Sequence, residues 1–103
     1  MPTTPRAAEE TAALDPRAPF CRASVVERLV QGLELPAGAR VLELGVAHGS
    51  VAGPLVDRLG LAVTVVDPSD ETLERVLHGV RGTVEAIRGA APPAGRGFDL
   101  VLL

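Results

Sequence analysis

At 103 residues with a net charge of −3, the chain bounds one domain and offers no basic surface for nucleic acid or for an anionic membrane. All ten basic residues are arginine, which excludes a Schiff-base lysine and any lysine-dependent phosphate loop. One cysteine, Cys21, and two histidines, His48 and His78, exclude an internal disulfide and leave no His/Cys zinc set.

Residues 1 to 22, punctuated by Pro2, Pro5, Pro16 and Pro19, show neither helical nor strand periodicity and read as a flexible lead to a domain over 23–103. No apolar run follows Met1 and no segment approaches the ~18 apolar residues of a membrane span, so a cytoplasmic protein is expected. A core built from so short a domain should bury only ~60–65 % of its unfolded surface. Ser24-Val25-Val26-Glu27 has the form of a capping box and predicts a helix whose Val25, Val26, Leu29, Val30 and Leu33 form one apolar stripe. Pro36 and Gly38 close it.

Val41 to Leu44 then predicts a short buried strand that runs into the turn Gly45-Val46-Ala47-His48-Gly49, followed by a helix from Ser50 to Leu59. Val63 to Val66 predicts a second strand ending on Asp67. Asp67-Pro68-Ser69-Asp70 is a turn in which Ser69 or Asp70 caps a helix, with acids where the helix dipole favours them. Leu73, Val76, Leu77 and Val80 supply its buried face and Gly82 its stop. Thr83 to Arg88 predicts a third strand, residues 89–97 with Pro92 and Pro93 a loop, and Phe98 to Leu103 a fourth strand.

Strand, glycine turn, helix and a second strand closing on an acid form the nucleoside-binding half of a doubly wound sheet. Two glycine patterns compete for the turn. A dinucleotide fingerprint needs small residues at its first, third and sixth positions, and Gly45, Ala47 and Ser50 match it poorly. The other pattern sets an acid two residues before the first glycine and small residues at alternate positions: Glu43, Gly45, Ala47 and Gly49. Glu43 lies in an apolar strand, where a carboxyl group is costly without a partner, so a function outweighs accident there. Asp67 before Pro68 reads either as a ligand for a vicinal diol or as a turn former. His48 reads as an exposed turn residue, His78 as a solvated helix position and Asp99 as structural, on the edge away from any ligand.

In these features the chain resembles the class I S-adenosylmethionine-dependent methyltransferases over about Ser24 to Leu103. The resemblance rests on the capped helix, Ala39-Arg40-Val41-Leu42-Glu43-Leu44-Gly45, Val65-Val66-Asp67-Pro68-Ser69 and Phe98-Asp99-Leu100-Val101. It implies an α/β, Rossmann-like fold, a partial doubly wound parallel sheet of about four strands in the order 3-2-1-4 with helices mainly on one face. It also implies an S-adenosylmethionine site at Glu43, Gly45, Val46, Ala47, Gly49, Asp67 and Pro68, in which Glu43 holds the cofactor's amino group, directly or through water, and Asp67 accepts from both ribose hydroxyls. It carries over no catalytic residue and no metal ligand.

The chain departs from the family's pattern in three places. Ala47 stands for the middle glycine, Gly89-Ala90-Ala91 stand where relatives often carry an acid for the adenine amino group, and the family's later strands, with the residues that shape the substrate pocket, do not follow Leu103. The expectation is therefore a cofactor-binding half with an unknown methyl acceptor and no turnover alone. The Pro/Gly loop between the third and fourth strands predicts a bare second sheet face, to be covered by a second copy or a complementing chain. Two other readings stay open: a non-catalytic interaction or dimerisation module or truncated remnant that retains the fold, and an NAD-type dinucleotide-binding fragment.

Overall fold

The computed structural model describes residues 22–46 and 49–103. The lead expected before Arg22, with Cys21, and the turn residues Ala47 and His48 lie outside the described residues. Seven elements follow in chain order: α1 (Arg22–Gly32), β1 (Arg40–Leu44), α2 (Ala52–Asp57), β2 (Ala62–Asp67), α3 (Asp70–His78), β3 (Glu85–Arg88) and β4 (Leu100–Leu102). The strands form one all-parallel sheet in the order β3-β2-β1-β4, a partial Rossmann-like fold as the sequence predicts.

Register and alternation sort the sheet into two faces. Glu43 pairs with Val65 of β2 and Leu102 of β4, and Leu42 with Thr64 and Val101. Val41, Val63 and Val65 therefore share one face, where they join Val30 of α1, Ala52 and Leu55 of α2, and Leu73 and Val76 of α3 in a single apolar core. All three helices cover that face. Near-continuous apolar strands suit a parallel sheet enclosed on both sides.

The helices differ from expectation in their boundaries and, for α1, in the buried face. Helix α1 is already running at Arg22, so Ser24 lies inside it and is not its cap. Glu27, the other half of the expected capping box, instead forms a two-pronged ion pair with Arg58, at 2.9 Å to Nε and 2.7 Å to Nη2. Val30 is buried and Ala23 and Val26 pack on the core, whereas Val25, Leu29 and Leu33 are exposed, Leu29 to 67 %. Helix α2 is shorter than predicted. Its Pro54 fits because it falls in the first turn, where an N–H has no intrahelical acceptor. In α3 the expected cap forms, Ser69 Oγ accepting from Thr72 N at 3.2 Å. The helix stops at Gly79 rather than Gly82, and Leu77 is exposed.

The second face is not bare at its centre. Leu42 and Val66 are each 1 % exposed, and Thr64 is buried between them. The connection from β3 to β4 crosses this side: Arg96 donates to Glu85 at 2.6 Å and reaches Thr64 at 3.5 Å, and a methyl group at Gly89 would touch Val66 at 3.8 Å. The Phe98 ring lies under two guanidinium groups, Arg40 at 5.6 Å and Arg96 at 5.5 Å. The Arg96 guanidinium, through Glu85 and Thr64, thus ties this connection to the face that, among the described residues, no helix covers. The rim stays open, with Val101 half exposed and Leu103 exposed. Among the described residues no helix is long and apolar enough to cross a membrane.

Candidate functional site

Glu43, Gly45, Val46, Gly49, Asp67 and Pro68 lie at or just beyond the carboxyl ends of β1 and β2. Ala47 falls in the undescribed pair. Gly45 leaves β1 with φ +70°, a left-handed conformation that costs a residue with a side chain, and open space surrounds the position of a Cβ there. Its N–H donates to the Val66 carbonyl at 2.9 Å, so the turn begins against β2. Val46 N–H then donates to Asp67 Oδ2 at 2.9 Å. Gly49 N–H donates back to the Val46 carbonyl at 2.9 Å.

Asp67 is 4 % exposed and fills the turn-forming role that its position allows. Its Oδ1 accepts from Ser69 N at 2.9 Å, the hydrogen bond of an Asx turn through Pro68, while Oδ2 holds the glycine turn. A carboxyl group in its charged form has about four acceptor positions, so two of these remain beyond the backbone donors.

Glu43 has a different surrounding from the one the resemblance implies. It is 0 % exposed, Oε1 accepting from Ser50 Oγ at 2.6 Å and Oε2 from Val51 N at 3.0 Å. Ser50 Oγ in turn accepts from Ala52 N at 3.0 Å, the first N–H of α2. Val51, at the head of α2, supplies no side-chain cap of its own, and Glu43 and Ser50 act together in its place. Ser50 is a residue that sequence reasoning missed as a site element. It counted only as the poor sixth position of the dinucleotide pattern. A hydroxyl seven residues after a strand acid and just before a helix is the signal that would have found it.

Asp99 and His78 lie away from the turn. Asp99 bridges to β1 at the opposite end of the sheet, its Oδ2 accepting from Arg40 N at 2.8 Å, which is the structural role expected. His78 is exposed on α3, and the segment after β3 holds Gly89 and Ala90 with no acid. Two carboxyl groups away from the turn have their titration moved by the fold. Asp57 is held below its ordinary range chiefly by the N–H groups of Arg81 and Gly82, and Glu85 chiefly by the Arg96 guanidinium. Among the described residues no group of three or more His, Cys, Asp or Glu is placed to hold a metal ion. A cleft of about 330 Å³ opens beside the turn between α2 and α3, lined by Gly49, Ser50, Pro54, Thr72, Arg75 and Val76.

Fold and site together define a Rossmann-like α/β protein with a glycine turn and a buried acid at adjacent strand ends. No protein-family model, no curated protein and no solved structure matches the chain.

Proposed function

We propose that this chain is a cytoplasmic, methyltransferase-like protein that binds S-adenosylmethionine. The observation that carries this reading is the junction of Gly45 and Asp67. A turn that leaves its strand through a glycine meets, at Val46 N–H, an acid with spare acceptor positions at the carboxyl edge of two parallel strands, where open α/β sheets bind nucleosides. In this reading Asp67 takes the ribose hydroxyls and the backbone around Gly45 and Gly49 passes close to the ligand. When bound, S-adenosylmethionine supplies an electrophilic methyl group. The chain's own part is to bind and orient. Glu43 is fully buried, Oε1 accepting from Ser50 and Oε2 from Val51, and presents no exposed oxygen to the amino group.

Isothermal titration with S-adenosylhomocysteine, and with NAD beside it, tests the proposal on wild type, Asp67→Ala and Asp67→Asn. Saturable S-adenosylhomocysteine binding that the Asp67 variants lose while their circular dichroism stays native is the expected result. Folded wild-type protein that does not bind overturns it, and preferential NAD binding favours the dinucleotide reading instead.

A second reading, a dimerisation module that retains the fold, is favoured by the outward-facing Val25 and Leu29 on α1 and Leu33 just after it. Sedimentation equilibrium separates it: a dimer that Leu29→Glu dissociates supports it, and a monomer at all concentrations removes it.

A further inference from the structure

We infer that Glu43 is a positioning residue, which with Ser50 closes the far end of the glycine turn and never touches a bound nucleoside. For the identity of the ligand this rests on the S-adenosylmethionine reading above; for the clamp itself it does not. The turn leaves β1 at Gly45 and enters α2 at Ala52, and each end is fixed by an acid from a different strand. Asp67 of β2 holds the near end through Val46 N–H at 2.9 Å. Glu43 of β1 holds the far end through Ser50 Oγ at 2.6 Å and Val51 N–H at 3.0 Å.

Burial decides between clamp and contact. An acid that meets a ligand's ammonium group needs an oxygen facing the site, and Glu43 has no exposed surface. Freeing Oε1 would break the bond to Ser50, whose hydroxyl also serves Ala52 N–H, so the start of α2 would lose its substitute cap at the same time. No buried side-chain oxygen or nitrogen among the described residues lacks a partner, Glu43 included. Its carboxyl group satisfies a serine hydroxyl and a backbone N–H beneath the turn. The two acids thus divide the work: Asp67 fixes the start of the turn and Glu43 fixes its end.

Two ligands that differ only in the amino-acid tail test this. S-adenosylhomocysteine carries the ammonium group, whereas 5′-methylthioadenosine keeps the nucleoside and thioether without it. Ser50→Ala and Glu43→Gln are expected to weaken both ligands by the same factor, on the order of tenfold, and Ser50→Thr to restore both. Selective loss of S-adenosylhomocysteine in Glu43→Gln, with 5′-methylthioadenosine unchanged, would overturn the inference. Amide hydrogen exchange without ligand provides the independent arm. Ser50→Ala should speed exchange at Val51 and Ala52, with Ser50→Thr returning it to the wild-type rate; unchanged rates would overturn the clamp. Should wild type bind neither ligand, the proposed function fails while the exchange data still decide the role of Glu43.

Discussion

Asp67 and Val46, 21 residues apart, are joined by a buried hydrogen bond that ties the turn after β1 to the end of β2. The same carboxyl group accepts from Ser69, so one side chain organises the exits of two adjacent strands. Asp67→Ala removes the acceptor from both N–H groups at once. We expect a loss of about 2–4 kcal/mol in urea unfolding, and a smaller loss for Asp67→Asn, which keeps one acceptor oxygen.

Gly82 is required by contact rather than by backbone conformation. A Cβ there would stand 2.7 Å from Val56 Cγ1 and 3.3 Å from Asp57 Oδ1, and a valine side chain has little freedom to move away. Gly82→Ala should therefore cost about 1–3 kcal/mol. Gly32→Ala is the control, since nothing lies within 4 Å of its Cβ position. At the end of α1 that change should be neutral or stabilise by up to ~1 kcal/mol. Thermal melts of the two variants give the comparison.

The inward face of α1 is open to direct measurement. Val30→Ala should destabilise by about 2 kcal/mol, as a buried large-to-small change. Leu29→Ala, one position earlier and exposed, should stay within ~0.5 kcal/mol of wild type. Equal losses at both positions would mean that the helix is rotated from the orientation described.

The Glu27–Arg58 pair links α1 to the end of α2 with two-pronged geometry. Arg58 is 64 % exposed, so solvent screens most of the attraction. A double-mutant cycle with Glu27→Gln and Arg58→Met should report a coupling of only ~0.5–1 kcal/mol, shrinking in high salt.

Acid should weaken the fold through Asp57 and Glu85. Both carboxyl groups titrate below their ordinary values of 3.8 and 4.5, Asp57 through the N–H groups of Arg81 and Gly82, Glu85 through Arg96. A group depressed in the folded state contributes stability that is present above its unfolded value and is lost as pH falls through the folded one. The melting temperature should therefore drop as pH is lowered from about 5 toward 2. Asp57→Asn and Glu85→Gln should each flatten that slope, and a slope unchanged in both variants would count against these contacts.

Much of the architecture was legible before any coordinates. The order of elements, the glycine at the end of β1, the acid at the end of β2 and the Ser69 cap follow from local rules: apolar runs between turn formers, and a hydroxyl before a helix. Strand order 3-2-1-4 came from resemblance and is the order of the sheet. Local patterning was insufficient where one segment offered two solutions. Five apolar residues between Val25 and Leu33 cover an arc too wide for one contact, and packing against α2 and the sheet chose Val26 and Val30 over Val25, Leu29 and Leu33.

What the sequence alone determined, then, is the chemistry present at the strand ends: an acid and a glycine on one strand, and a second acid on the next. Tertiary structure decided what each acid does. Glu43 turns inward to Ser50 and Val51, Glu27 leaves its own helix for Arg58, 31 residues on, and Arg96 crosses the second face to Glu85 and Thr64. The reason is physical: a polar group withdrawn from water takes whichever partner the fold brings within hydrogen-bonding distance, and chain order does not specify that partner.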